Sequence, residues 1–522
     1  MKEEERLRRG ADLLEWIKSE GGDVDSVRIA GGPGGVGVFC ARDVPRGVPF
    51  FQCPVRCVMR ASDVKGARRG DADDDAFVAA LDALVVDDDP IDDRVRLQLH
   101  LLNERARGSR SKWAPYVRSL PGRELVGNLP VSWACEEDPD ELLCGLFDTH
   151  MFRKAHEDKS WLNKLSGALL EDPRNFPADA FGPDLLLWAH AMYWSRAIRL
   201  KLPGGGFSSA SNDGKTDCLV PLLDSCNHAW RSRHDTGRGA IGYSLVAGAA
   251  LTAGDEICIN YGMKDNGELL SSHGFVCREH ARFDFTYVRM LDPATSDPSV
   301  FSERRARVRD IVGRQRKGKM SRDDPATTTA PFHAEIHFVE DEKGGGVVGA
   351  FAPFAVAVAR ALYAPTDADH AAACASLLAA GDGDPGDGAA GDGDPTRSSD
   401  PCTRRAMRFL RAAAHDEWRR LQRCRELSGS LTWKAHPGLG GPDSTAEAWE
   451  STPGAAPHGG ARAAIDLYYS TQMRLLRDVM AEWNDDGADA EDGTPGATEA
   501  EDWARKRRRR RENEHSGGGV LE

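Results

Sequence analysis

The order of local patterns along the chain predicts an α+β protein: a β domain split by helices and followed by a mostly α-helical C-terminal domain. Three observations carry this. Strand patterns occupy about residues 27–54, helical periodicity replaces them from 60 to about 200, and strand patterns return near residue 217.

Residues 5–19 place Leu7, Leu13, Leu14, Trp16 and Ile17 roughly on one side and read as a short amphipathic helix. "VRIA" (27–30), "VGVFCARDV" (36–44) and "VPFFQCP" (48–54) read as strands, the last following the turn signal Pro45-Arg46-Gly47. "DDRVRLQLHLLNERA" and "DLLLWAHAMYWSRAIRLK" have helical periodicity. "DCLVPLLD", "GYSLVAGAAL" and "DEICINYG" return to strand, and "HAEIHFVE" alternates as another. Two helical segments follow, beginning "TRRAMRFL" and "ARAAIDLYY". The domain expectation is 1–295 with a helical insertion at about 60–180, then 296–484, then a disordered tail at 485–522. "GDGDPGDGAAGDGDP" (381–395) cannot bury enough apolar surface to order itself and is expected to be a disordered loop.

The 522 residues contain no apolar run long enough to cross a bilayer, and the first twenty lack the apolar stretch of a secretory signal. Twelve scattered cysteines show no paired metal-ligand spacing, so no metal is expected and a reducing cytoplasmic or nuclear setting is. A chloroplast address would need a transit peptide missing from this chain. A net charge of −14 argues against nucleic-acid binding by the whole protein. The basic run Arg505–Arg511 is the exception, readable as a nuclear address, an RNA-contacting tail or a solvated face.

Two motifs have plainer readings. "GPGGVG" (Gly32, Gly34, Gly37) matches a dinucleotide-binding pattern, but an alternating strand follows where that chemistry needs a helix N-terminus. A nucleotide-dependent enzyme built there would bind ATP or NAD. "HAEIH" (333–337) sets Glu335 midway between two histidines in a strand-like stretch, unlike the helical zinc-protease motif.

"DSCNHAW" (224–230) sets Asn227 and His228 together at the end of an apolar run, where neither suits a buried strand. Some thirty residues later comes "GDEICINYGMKDNGELLSSHGFV" (254–276), and "SRAI" (195–198) precedes both. With "VGVFCARDVPRG", these segments in this order resemble a SET-domain methyltransferase of the Rubisco large-subunit lysine methyltransferase-like branch. "SKWAPYVRSLP" (111–121) resembles that branch's insertion, and "LYYSTQMRLLRDVM" its helical substrate-binding domain.

The resemblance implies a SET β-fold of small, knot-like sheets, S-adenosylmethionine as cofactor and a non-histone protein as partner, with the enzyme a monomer. Tyr261 would be catalytic. Gly35, Val36, Gly37 and Val38 would let backbone approach the cofactor, Asn227 would bind its methionine end, the His228 backbone would pair with its adenine, and Arg196, Tyr261 and Phe275 would complete that site. Arg196, Asp224, His273 and Phe275 would face the substrate. Methyl transfer is a displacement at carbon, so it needs alignment and exclusion of water rather than an acid–base dyad. The attacking amine must be neutral although free lysine titrates near ~10.4, and the sulfonium and desolvation both favour proton loss.

His273 stands where many relatives have Tyr before "G-F". Histidine-directed relatives tend to carry a polar residue two places after the SET Arg, and Ile198 here leans toward lysine. A protein-histidine N-methyltransferase of the same fold and a non-catalytic SET-like binding module remain the alternatives. The Cys-rich zinc cluster of many histone-directed SET enzymes has only Cys277 to represent it.

Overall fold

The computed structural model describes residues 3–32, 35–66, 72–122, 126–134, 146, 149–200, 216–232, 234–239, 242–290, 298–315, 332–340, 347–379, 400–429 and 461–481. The expected loop at 381–395, the tail at 485–522 and its basic run lie outside them. Packing divides the chain into a unit of Met1–His280 with Leu431–Leu467 and a second of Ala281–Ser430 with Tyr468–Glu522.

In the first unit, α1 (Glu3–Ser19) buries Leu13 and Ile17 completely. β1 (Val27–Gly32) and β2 (Gly35–Cys40) form an antiparallel hairpin, Val27 facing Cys40 and Gly32 facing Gly35. No helix follows the glycines, as their sequence predicts. β3 (Pro49–Pro54) buries Phe50 and Phe51 and pairs with β11 (Gly242–Val246), which also pairs with β10 (Asp235–Gly239). β4 (Met59–Arg60), β8 (Thr216–Leu219) and β7 (Ile198–Leu200) make a second small sheet. The third carries the site, in the order β1-β2-β12-β9, with β12 spanning Glu256–Ile259 and β9 Asn227–His228. β5 (Val85–Val86) and β6 (Asp89–Pro90) form a short hairpin in the insertion.

The inserted helices include α2 (Ala72–Ala83), α3 (Asp93–Arg107), α4 (Ala114–Ser119), α5 (His150–Leu170) and α6 (Pro183–Arg196). Asp92 caps α3 by accepting from Val95 N at 3.0 Å, while Leu97, Leu99, Leu101 and Leu102 enter the core. α6 starts at Pro183, whose missing N–H costs nothing at the first helical position. The sequence carries helical periodicity through "SRAIRLK"; α6 stops at Arg196 because Ala197 is extended and Ile198 pairs with Cys218. Tertiary strand pairing overrides local propensity there.

The second unit combines helices with a three-stranded antiparallel sheet of β13 (Phe285–Arg289), β14 (His333–Glu340) and β15 (Val347–Phe351). β13, counted with the first domain in the sequence reading, thus pairs within the second. β14 alternates as expected, Ala334 and Ile336 being fully buried. Around the sheet's unit lie α8 (Pro298–Gln315), α9 (Pro353–Leu362), α10 (Asp367–Ala379), α11 (Pro401–Gly429) and the part of α12 (Ala461–Ala481) from Tyr468. Tyr363 stacks on Phe409 at 4.4 Å. In α12, Leu475, Leu476 and Val479 are buried while Arg474 and Arg477 face outward.

Candidate active site

β8 leads into the site through a strained corner. Leu222 is buried at φ 73°, a left-handed backbone that a γ-branched residue rarely adopts and that costs on the order of 1–3 kcal/mol. The next turn, Leu223–Ser225, ends with Cys226 extended, and the chain enters β9. Asn227 and His228 are expected at an irregular bend outside any ladder. They instead pair in parallel with β12, Asn227 opposite Cys258 and His228 opposite Ile259. The reason is position: β9 is the edge of its sheet, so β12 occupies only one side of its backbone.

On this sheet the Asn227 amide donates to Glu256 Oε1 at 2.7 Å. A Cβ on Gly37 would lie 2.8 Å from both Asn227 Nδ2 and Glu256 Oε1, so only glycine lets β2 approach this pair. Gly35 has φ 92°, Val36 is half-buried, and Val38 points into the core.

Tyr261 follows β12. Its hydroxyl donates to Cys226 O at 2.9 Å and its N–H to His228 Nδ1 at 3.2 Å. Burial pushes that hydroxyl above the usual phenol range, so it stays protonated. α7 (Asn266–His273) then fixes two more rings. Asp265 caps it by accepting from Glu268 N at 3.0 Å, and Gly274 ends it in the left-handed region at φ 74°. A Cβ on Gly274 would meet Asn128 Cβ at 2.7 Å, so glycine is required twice over. The result aligns His273 4.6 Å from the Tyr261 ring and Phe275 6.1 Å from that of His228.

Burial holds His273 well below the usual imidazole range, helped by the nearby Lys264, His228 and Arg196, and its Nε2 is buried with no partner among the described residues. Arg196 donates from Nη1 to Asp224 O at 2.6 Å, while its Nε is likewise buried and unpartnered among them. The Asp224 carboxylate is fully enclosed: Tyr116 OH donates to it at 2.5 Å and Arg196 Nη1 lies 3.8 Å away. Burial raises its pKa while Arg196 opposes the rise.

The structure therefore gathers Gly37, Arg196, Asp224, Asn227, His228, Tyr261, His273 and Phe275, with Asp224 turned toward Tyr116 and Arg196 rather than solvent. Glu256, Tyr116 and His280 were not singled out. Tyr116 lies inside the "SKWAPYVRSLP" motif and was findable; a glutamate two residues before a strand centre carries no such signal. Burial pushes Cys258 and Cys277 up to about 12, so neither supplies a thiolate nucleophile. A cleft of about 530 Å³ lined by Arg9, Glu104, Arg105 and Arg118 lies elsewhere in the unit and shares none of these groups.

No family model matches the chain. It is 24% identical over 277 residues to the actin-histidine N-methyltransferases of Dasypus novemcinctus and Homo sapiens, matching 51% of this chain and 42% of theirs. A ribosomal lysine N-methyltransferase of Schizosaccharomyces pombe is 27% identical over 197 residues, 36% of this chain and 32% of that protein. The chain thus spans less than half the length of the curated relatives it matches. Rubisco LSMT bound to AdoMet superposes with TM-score 0.58 at 16% identity, covering 92% of this chain and 93% of that one. The SET domain of LSMT bound to methyllysine and AdoHcy gives TM-score 0.59 at the same identity and coverage. Small sheets, a helical insertion and a helix-rich second unit in this order give the chain the fold of Rubisco LSMT.

Proposed function

We propose that the chain is an S-adenosylmethionine-dependent protein N-methyltransferase directed at lysine. The observation that carries this is the join of two unlike surfaces at Tyr261: the Asn227–Glu256 pair on the sheet and a ring wall of His228, His273 and Phe275 beside it.

The residues fit the cofactor by their donor set. The Glu256 carboxylate and the Asn227 amide offer acceptors to an ammonium, and the buried Arg196 Nε, unpartnered among the described residues, offers a donor to a carboxylate. The open side of β9 leaves main-chain groups for an adenine edge. When bound, the cofactor supplies a methyl group on a sulfonium, ready for displacement.

The chain's own part is alignment. Tyr261, held protonated, has its proton committed to the Cys226 carbonyl, which leaves its oxygen lone pairs for a substrate nitrogen or polarised C–H groups. The neutral His273 offers Nε2 to the target nitrogen. Asp224, closed off behind Tyr116, supports Arg196 instead of meeting substrate. No buried acid–base dyad is required, because departure of the amine's proton is favoured by desolvation and the neighbouring positive charge. The second unit, with Arg474 and Arg477 outward on α12, would dock the protein substrate.

Histidine is the second reading, favoured by the actin-histidine relatives; the apolar Ile198 and the ribosomal lysine enzyme favour lysine. Purified chain, labelled S-adenosylmethionine, and actin, ribosomes or whole extract as acceptors decide the matter. Mass spectrometry should locate the label on lysine. Label on histidine selects the second reading, and a chain that neither binds the cofactor nor transfers label is a binding module.

A further inference from the structure

Behind the ring wall, His228, Cys277 and His280 are buried with ligand atoms all within 4.8 Å of one another. Such a trio has two chemical readings, a divalent-metal site or a hydrogen-bond chain. The proton positions distinguish them. Tyr261 N–H can only donate, so the His228 Nδ1 it meets at 3.2 Å must accept. A neutral His228 then carries its proton on Nε2, which faces His280 Nε2 at 3.0 Å. His280 Nε2 accepts, its proton sits on Nδ1, and Nδ1 donates to Lys264 O at 2.6 Å. Each hydrogen bond on this path then joins one donor to one acceptor. A metal on His228 Nε2 would force the proton to Nδ1, against the Tyr261 N–H.

We propose that His280 is a positioning residue: through His228 it fixes the backbone of Tyr261, tying the turn at Lys264 to the edge strand that carries Asn227. Cys277 takes no part, since its thiol donates to Glu279 Oε2 at 3.0 Å. Adding a proton to the pair breaks the chain. On His280 Nε2 it sets two N–H groups against each other, and on His228 Nδ1 it displaces the Tyr261 N–H. Among the described residues, the ionisable groups facing the pair include Glu279 and Cys277 from the turn after α7, Tyr261 and Lys264 after β12, and His273 from α7. The Glu279 carboxylate accepts from the Cys277 thiol.

The activity arm of the test rests on the methyltransferase reading; the spectroscopic arm does not. NMR of the full chain labelled with ¹⁵N-histidine should show one ring protonated at Nε2 and one at Nδ1, assigned as His228 and His280 by their loss in His228→Phe and His280→Gln. With labelled S-adenosylmethionine and an accepted protein substrate, His280→Gln should lower turnover about tenfold or more, because small misplacements of an aligning group are costly. Cofactor affinity should stay within about threefold. His280→Asn serves if the Gln variant does not fold, and Cys277→Ser should match wild type. The proposal is overturned by the reverse tautomers, by unchanged turnover in His280→Gln, or by stoichiometric zinc whose chelation lowers the melting temperature of wild type but not of Cys277→Ser. A wild type that transfers no methyl group removes the methyltransferase reading while the tautomers still decide the relay.

Discussion

His228 and His273 both lie against the Tyr261 ring, both are held neutral, and they serve opposite ends. His228 is satisfied at both nitrogens, by Tyr261 N and His280 Nε2. His273 keeps Nε2 buried with no partner among the described residues. A satisfied buried imidazole anchors structure, whereas an unsatisfied one costs stability that a ligand can return. The same division separates Asp224, enclosed by Tyr116 and Arg196, from the Nε of that Arg196, which has no partner among the described residues. At the candidate site, hydrogen bonds are complete at His228 and Asp224 and open, among the described residues, at His273 Nε2 and Arg196 Nε.

The largest effect that would break this comparison is at Tyr261 itself. Tyr261→Phe keeps the ring and the N–H bond to His228 but loses the hydroxyl, and should lower turnover about 10²-fold while cofactor affinity stays within a few-fold. Unchanged single-turnover rates would take the residue out of the chemistry.

His228→Phe should next cost about 2–3 kcal/mol of stability in urea unfolding, because it strands the buried Tyr261 N–H and His280 Nε2 together. It also has a pH signature. Burial first, then the neighbouring His280, holds His228 down to about 4. The unfolded chain therefore takes up this proton at higher pH than the folded one. The stability contributed is fully present above about 6.5 and is lost as pH falls toward about 4. In the Phe variant that slope should shrink; an unaltered slope would mean that His228 is not the group responsible.

Asn227→Ala should weaken S-adenosylmethionine binding by about 1–3 kcal/mol by calorimetry, leaving Glu256 without its amide. Wild-type affinity in a folded variant would detach the sheet corner from the cofactor.

The smallest expected change is the most pointed. His273→Phe should leave stability unaltered or raise it by up to about 1 kcal/mol, since it removes an unpaired buried nitrogen, while changing turnover or the number of methyl groups added. Loss of stability comparable to His228→Phe would erase the difference between the two histidines.

Much of the molecule was legible in the order of its patterns. Strands at "VRIA", "VGVFC" and "PFFQCP" formed because alternation there matches a pleated, half-buried surface. The stretches "DSCNHAW" and "INYG…SSHGF" marked the site because polar and aromatic residues break an apolar run where packing alone gives no reason for them. Local sequence could not say where the helix at "SRAIRLK" ends, nor that Asn227 and His228 form an edge strand, since both depend on a partner segment distant in the chain. Nor did it point to Glu256 or His280, ordinary residues in ordinary company until the sheet brings one to Asn227 and the turn after α7 brings the other to His228. Local periodicity and short motifs are set by neighbours in sequence, so the chain alone determined most of its strands and helices and which segments make up the candidate site. Which hydrogen bonds are made and which are left open depends on groups that meet only on folding, and that the tertiary structure decided.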